Sequence, residues 1–267
     1  MRGDIFMNTR FLLILFCCGA AVLLEAGERR IFVARHCQAA GKGKDVIRPV
    51  KGDAGITKLG IMQSKLLGKR LKQLKFNGPV YASPYYRTVA TACYAAAECG
   101  SKVFPDARVQ ERPRTSAGNM PKGGATLEQL RKLFPDQISS EAKLAYPWVS
   151  KIAEPDKKAH QKRMAKALDE ILAENPGKDI MIVSHAGAVS GLAREMQARS
   201  GMKVSGGTWN CALFIYKVDE KGRFSFAGYD ILFLPDDALT SNLHKVDPKH
   251  KKASRKYQSG IDPEYDL

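Results

Sequence analysis

The segment IMIVSHAG, residues 180–187, decides the fold. Its first four residues are apolar without interruption, which is typical of a parallel strand buried on both faces. Two further segments repeat this pattern of an apolar run that passes directly into polar residues: IFVARH at residues 31–36 and VYASPYYR at residues 80–87. We therefore expect three buried strands whose carboxyl ends all carry polar side chains.

Helical periodicity lies between these strands. Leu59, Met62 and Leu66 begin an apolar stripe at helical spacing, and Thr126 is well placed to cap a later helix. The periodicity predicts helices at residues 57–71, 126–134 and 164–172, and a late hairpin of strands at 211–218 and 224–229. This alternation predicts an α/β fold, a three-layer sandwich with a mainly parallel central sheet and helices on both faces.

The composition excludes whole classes of protein. The chain has 267 residues, of which 44% are hydrophobic and 26% charged, so it is neither wholly disordered nor a protein with many membrane spans. Its formal net charge of +16 favours an anionic partner. Charge alone does not choose between nucleic acid, a membrane surface and a phosphorylated small molecule.

The amino-terminal segment has the features of a secretory signal. Residues 11–24 are apolar and uncharged and follow two arginines, but a membrane-spanning helix needs about 20 such residues. We expect a leader at residues 1–26, a secreted or periplasmic domain at 27–235 with no stable membrane span, and a charged, flexible tail at 236–267. Lipid attachment at Cys17 or Cys18 and an amino-terminal helix packed on the core are the alternatives.

Four cysteines follow the predicted leader: Cys37, Cys93, Cys99 and Cys211. In an exported chain they permit disulfides, with three possible complete pairings. The chain contains no C-x-x-C pair, so a zinc site is not expected.

The polar residues at the strand ends suit phosphoryl transfer. Ligands of open α/β sheets bind at the carboxyl ends of the strands, where Arg35, His36, Arg87 and His185 would meet. One guanidinium group can bind two phosphate oxygens at once. Its positive charge also keeps a neighbouring imidazole neutral and nucleophilic. Because the arginines already neutralise the transferring group, this chemistry needs no metal.

These segments resemble the histidine phosphatase superfamily, whose members are phosphoglycerate-mutase-like. The family's Arg-His-Gly strand end is similar to VARHC at residues 33–37, and its Ser-Pro-x-x-Arg segment is similar to SPYYR at residues 83–87. Its later Ser-His segment is matched by SHAG at residues 184–187. The motifs occur in the family's order, and the resemblance covers about residues 29–218.

The resemblance implies a role for each residue. His36 would be the nucleophile that becomes phosphorylated, and Arg35, Arg87 and His185 would bind the phosphoryl oxygens. His185 would also stabilise the charge of the transition state, and Glu111 would act as general acid and then general base. No cofactor is implied.

The sequence also departs from the family pattern. Cys37 replaces the usual glycine, and Ala39 and Lys42 replace the Thr and Asn that often follow in mutases. These changes disfavour mutase-type substrate binding more than the phosphoryl chemistry. Glu128 lies close enough in sequence to compete with Glu111 for the role of general acid.

The sequence thus predicts an exported, metal-independent phosphomonoester phosphatase, a histidine acid phosphatase-like hydrolase. Its substrate would be a phosphorylated small molecule or a phosphoprotein, and no nucleic-acid partner is expected, since aromatic and basic residues do not interleave. A phosphoglycerate-mutase-type phosphotransferase and a non-catalytic phosphate-binding protein are the alternatives. The particular ester and the oligomeric state are not assigned by the sequence.

Overall fold

The computed structural model describes residues 28–40, 45–112, 125–145, 154, 156–203 and 206–256. Its helices are α1 Lys58–Gln73, α2 Tyr86–Cys99, α3 Leu127–Leu133, α4 Lys157–Glu174, α5 Ala186–Ser200 and α6 Lys251–Arg255. Its strands are β1 Arg29–Arg35, β2 Ala39–Ala40, β3 Val46–Ile47, β4 Gly55–Thr57, β5 Val80–Ala82, β6 Val103–Pro105, β7 Ile180–Ser184, β8 Leu213–Val218, β9 Phe224–Asp230, β10 Thr240–Ser241 and β11 His244–Lys245. The predicted leader, Lys42 and residues 257–267 lie outside the described residues.

A six-stranded sheet with the order β6-β5-β7-β1-β8-β9 forms the centre of the molecule. Strands β6, β5, β7 and β1 pair in parallel, whereas β8 runs antiparallel to β1 and forms a hairpin with β9. Every residue of β7 is buried. The mainly parallel sheet and the late hairpin confirm the sequence prediction.

The first two residues of β1 show that helices cover both faces of this sheet. Arg29 Nη1 donates to the carbonyl groups of Leu172 and Asn175, at the end of α4. Arg30 Nη1 donates to the carbonyl of Leu74, at the end of α1. Successive strand residues point to opposite faces, so α1 and α4 lie on opposite sides of the sheet. Helix α2 packs on α1 and α5 on α4, which gives the predicted three-layer sandwich.

Helix α1 buries Leu67 and Leu71 of the apolar stripe that the sequence suggests, together with small and polar residues that the stripe does not include. Met62 is exposed, whereas Gln63, Ser64 and Gly68 are buried. A Cβ atom on Gly68 would lie 2.3 Å from the carbonyl oxygen of Ala95 in α2, so small residues bring these two helices close together. Close packing against α2 therefore places small residues on the buried face beside the later leucines of the stripe, and Met62 lies outside that face.

Residues 236–256 are folded onto the domain, which differs from the flexible tail expected there. Leu239, Thr240 and Ser254 are buried. Ser254 Oγ accepts a hydrogen bond from the Ile231 backbone N–H and donates one to the Tyr229 carbonyl. Short strands, single apolar residues and side-chain-to-backbone bonds hold this segment, and none of them produces a periodic sequence pattern.

Within the part of the chain that the structure describes, no helix is long and apolar enough to cross a membrane. The four described cysteines, Cys37, Cys93, Cys99 and Cys211, are free thiols. Cys93 and Cys99 lie on the same helix, α2.

Candidate active site

The carboxyl ends of three adjacent strands form the site. The backbone N–H of His36, after β1, donates to the carbonyl of Ser184 in β7 at 2.8 Å. The backbone N–H of Ser83, after β5, donates to the carbonyl of Val183 at 3.0 Å. The ring centres of His36 and His185 are consequently only 5.2 Å apart.

The hydrogen bonds of His36 fix its tautomer. Its Nδ1 lies 2.7 Å from the carbonyl oxygen of Cys37, which can only accept, so Nδ1 carries the proton and Nε2 keeps its lone pair. Burial, together with the positive charges of Arg87 and Arg35, holds the pKa of His36 well below its usual value. His36 is therefore a neutral imidazole with Nε2 available as a nucleophile.

Both ring nitrogens of His185 are engaged by the protein. Arg87 Nη2 donates to its Nδ1 at 3.0 Å, so the proton of the neutral ring is on Nε2, which lies 2.8 Å from Ser83 Oγ and donates to it. Burial, and then the charges of Arg87, His36 and Arg35, hold the pKa of His185 well below its usual value. In this arrangement His185 orients Arg87.

Asp53 and Tyr85 also orient Arg87, and neither was assigned a role from the sequence. Asp53 Oδ1 lies 3.4 Å from Arg87 Nη1, and its Oδ2 accepts from the backbone N–H of Tyr86 at 2.5 Å. The Arg87 guanidinium carbon lies 4.6 Å from the centre of the Tyr85 ring. These contacts fix the guanidinium at the first turn of α2.

Arg35 is anchored by residues from the far end of the chain. Its Nη1 donates to the Thr208 carbonyl at 2.9 Å and to Ser241 Oγ at 3.3 Å, and its Nη2 donates to Asn242 Oδ1. Its Nε is buried and has no hydrogen-bond partner among the described residues. The Nε–H group of Arg35 can therefore donate a hydrogen bond to a bound anion.

A buried network of side-chain hydrogen bonds holds the backbone of His36. Asn210 Nδ2 donates to the His36 carbonyl at 2.9 Å. Thr240 Oγ1 donates to Asn210 Oδ1 at 3.0 Å and accepts from Gln63 Nε2 at 2.9 Å. The Gln63 side chain also accepts the backbone N–H of Gln38 at 2.7 Å, so helix α1 and residues 236–256 are both joined to the loop after β1.

Glu111 lies at the amino terminus of α5. Its Oε2 accepts the backbone N–H of Gly187 at 2.9 Å, and its Oε1 accepts that of Arg112 at 3.0 Å. A Cβ atom on residue 187 would lie 2.3 Å from Oε1, so only glycine leaves room for the carboxylate. Glu128, the alternative acid, is exposed on α3.

The side chain of Cys37 packs away from solvent against α1. A Cβ on Gly60 would lie 2.3 Å from the carbonyl oxygen of Gln38 and 2.9 Å from Cys37 Sγ, which explains why glycine stands at that position. Burial raises the pKa of the Cys37 thiol, so this group is a poor nucleophile.

The five side chains that the sequence singled out are therefore brought together. His36 faces His185, Arg87 donates to His185, and the charges of Arg87 and Glu111 both act on Arg35. Over the described residues, no group of three or more His, Cys, Asp or Glu side chains is placed to hold a metal ion.

Comparison with known proteins gives a family match and solved structures with a similar fold. The family model for the histidine phosphatase superfamily (branch 1) matches residues 31–226. The ecdysone phosphate phosphatase EPPase from Bombix mori, solved with tungstate, is 18% identical with a TM-score of 0.51, over 70% of this chain and 88% of that one. A phosphoserine phosphatase from Entamoeba histolytica, solved with 3-phosphoglyceric acid, is 18% identical with a TM-score of 0.51, over 78% of this chain and 100% of that one. A comparison with curated protein sequences finds no significant match.

Proposed function

The chain belongs to the histidine phosphatase superfamily, branch 1, and from that premise we propose that it is a phosphomonoester phosphatase with His36 as its nucleophile. The observation that carries this proposal is that the imidazole of His36 is neutral and held in one tautomer. Its Nδ1–H is bound to a carbonyl oxygen, and its Nε2 keeps a lone pair between the charges of Arg35 and Arg87.

In the first step, His36 Nε2 attacks the phosphorus atom of the bound ester. A P–N bond forms, the P–O bond to the alcohol breaks, and the protonated carboxyl group of Glu111 gives its proton to the leaving oxygen. The Nε–H of Arg35 and the guanidinium of Arg87 bind the phosphoryl oxygens and stabilise the charge that accumulates on them.

In the second step, the Glu111 carboxylate takes a proton from water. The water oxygen attacks phosphorus, the P–N bond breaks, and its electron pair returns to His36 Nε2 as inorganic phosphate leaves. The arginine charges already neutralise the phosphoryl group, so we propose that both steps proceed without a metal ion.

His185 joins the phosphate ligands by exchanging its partner. When an anion arrives, the N–H of Arg87 that now reaches His185 Nδ1 is drawn to a phosphoryl oxygen. The anion's negative charge then raises the pKa of His185, because it favours the protonated ring. Nδ1 of His185 then takes a proton from the solvent, and the Nδ1–H formed in this way donates to the same phosphoryl group.

Hydrolysis is favoured over mutase action because Ala39 and Lys42 stand where mutases often have Thr and Asn. Two of the similar solved structures are a phosphatase of ecdysone phosphate and a phosphoserine phosphatase, so this fold accommodates unrelated alcohols. We further propose that residues 1–26 direct export. Amino-terminal sequencing of protein from outside the cytoplasm, beginning near residue 27, would support export.

Phosphate release from a panel of phosphomonoesters, in the presence of a chelator, tests the proposal. Wild type should release phosphate and carry acid-labile label after brief exposure to a radioactive ester, and His36→Ala should do neither. His244→Ala is the matched control, because His244 is exposed on β11. Equal inactivity of wild type and His36→Ala, with vanadate still bound, would instead indicate a non-catalytic phosphate-binding protein.

A further inference from the structure

A cavity of about 830 Å³ opens beside the proposed general acid. It begins at Glu111 and Gly187 and extends between the first turn of α4 and the length of α5, as far as Ala198. This volume lies within the range of pockets that hold whole small-molecule ligands, roughly 300–1,000 Å³. A phosphoryl group alone would fill only a small part of it.

Positive charge dominates the wall of this cavity. The cations that line it are Arg112, Lys157, Lys158 and Arg194. None of them forms an ion pair with a carboxylate among the described residues. The wall has two acids, and both are already engaged. Glu111 accepts two backbone N–H groups, and Glu195 binds Arg199 and Gln161.

The wall also holds buried polar atoms that lack a partner. His160 is only 5% exposed, and its Nε2 makes no hydrogen bond to any described residue. The same is true of Gln161 Oε1. Both lie beside Gly191, where a Cβ atom would be 3.6 Å from Gln161 Oε1 and 3.7 Å from His160 Cε1. Because these atoms are shielded from solvent, the cations of the wall carry the argument for an anionic ligand.

The position of the cavity identifies which part of a substrate would enter it. Glu111 must reach the leaving oxygen to protonate it, so the alcohol attached to that oxygen lies on the Glu111 side of the phosphorus. The cavity starts there. We propose that it binds the alcohol portion of a small phosphomonoester, and that this portion carries a second anionic group, a carboxylate or a second phosphate. This inference rests on the proposed phosphatase function for its orientation.

Two esters of equal size and different charge test the inference. For wild type, kcat/KM should be at least about tenfold higher for 4-carboxyphenyl phosphate than for 4-carbamoylphenyl phosphate, because the second anion gains charge-assisted hydrogen bonds. The variant Lys158→Ala/Arg194→Ala should lower that ratio to about two or less. The control Lys69→Ala/Lys72→Ala removes two exposed cations from α1 and should keep the wild-type ratio.

Binding separates this inference from the proposed function. Calorimetry with 4-carboxyphenylphosphonate and 4-carbamoylphenylphosphonate needs no turnover, and the carboxylate should bind about tenfold more tightly to wild type. An aryl ester carrying a phosphonomethyl group shows whether a phosphate-like dianion is preferred to a carboxylate. Absence of turnover with a retained binding preference would overturn the phosphatase function alone. Equal binding of the two phosphonates, or an unchanged ratio in Lys158→Ala/Arg194→Ala, would overturn the assignment of the cavity.

Discussion

Replacing Thr240 by valine tests whether residues 236–256 position the nucleophile. Valine keeps the shape of the side chain and removes the hydroxyl group that joins Gln63 to Asn210. Asn210 Oδ1 then loses its donor in a buried site, whereas Gln63 Nε2 keeps the Ala238 carbonyl at 2.7 Å. One buried polar group left without its partner costs about 1–3 kcal/mol of the free energy of unfolding.

The catalytic effect should be separate from this loss of stability. Asn210 Nδ2 holds the His36 carbonyl, so a loosened Asn210 no longer fixes the direction of the imidazole. We expect Thr240→Val to lower kcat about tenfold, which corresponds to roughly 1.4 kcal/mol of activation free energy. Thr240→Ser, which restores the hydroxyl, should recover most of the rate.

Ser254→Ala is the matched control for Thr240→Val. Ser254 is also buried, lies in the same segment and makes two hydrogen bonds, but these go to Ile231 and Tyr229. Urea titration should show comparable destabilisation of the two variants, and steady-state kinetics should show a kcat within about twofold of wild type for Ser254→Ala alone. If Thr240→Val is destabilised to the same degree and keeps the wild-type kcat, the hydroxyl only stabilises the fold and the reasoning is wrong.

Three further predictions concern the stability and geometry of the site. His36 binds a proton more weakly when folded than when unfolded, so the free energy of unfolding should fall as pH drops below about 6.5, and urea titrations of His36→Asn should show a slope smaller by up to about 1.4 kcal/mol per pH unit; an unchanged slope would mean that folding does not weaken proton binding by this imidazole. Gly187→Ala places a Cβ atom 2.3 Å from Glu111 Oε1 and should lower kcat at least about tenfold, which single-turnover phosphate release would measure, and an unaffected rate would exclude Glu111 as the general acid. Gly68→Ala would force α1 away from the Ala95 carbonyl and should cost about 1–3 kcal/mol in urea titrations despite the better helix propensity of alanine, whereas a stabilised variant would show that the two helices are less closely packed.

The parts of the site that sequence alone could predict are local in the chain. The apolar run of β7 and the Ser184-His185 that follows it are contiguous, so the strand and its polar end are read from one segment. Adjacent parallel strands bring their carboxyl ends to the same edge of the sheet. The observed pairing of Arg35 in β1 with Ser184 in β7 follows this rule. Family motifs at the same strand ends added the roles that geometry alone does not assign.

The parts that sequence could not predict depend on contacts across long separations. Asp53 lies 34 residues before Arg87, in a loop with no motif, and Asn210 lies 174 residues after His36. Met62 fits an apolar stripe but is exposed, because the close approach of α1 to α2 is set by Gly68 instead. A hydrogen bond between polar residues far apart in the sequence produces no periodic pattern. In the sequence, such residues therefore resemble ordinary loop positions.

The anchoring of Arg35 by residues 241 and 242 leads to the last prediction. The family match ends at residue 226, yet Arg35 donates to Ser241 and Asn242 beyond it. Asn242 has a φ of 53°, so Ser241→Ala/Asn242→Gly removes both acceptors while glycine keeps the left-handed backbone. Of the three acceptors that hold the Arg35 guanidinium, only the Thr208 carbonyl would then remain. The Nε–H of Arg35 would be less firmly directed at the phosphate.

Vanadate inhibition should weaken about tenfold, as expected for losing a hydrogen bond to a charged group. Because Asn242 is exposed and Ser241 only partly buried, the free energy of unfolding should change little. An unchanged inhibition constant would mean that Arg35 is oriented by its own strand, and that residues beyond the family match only cover the sheet.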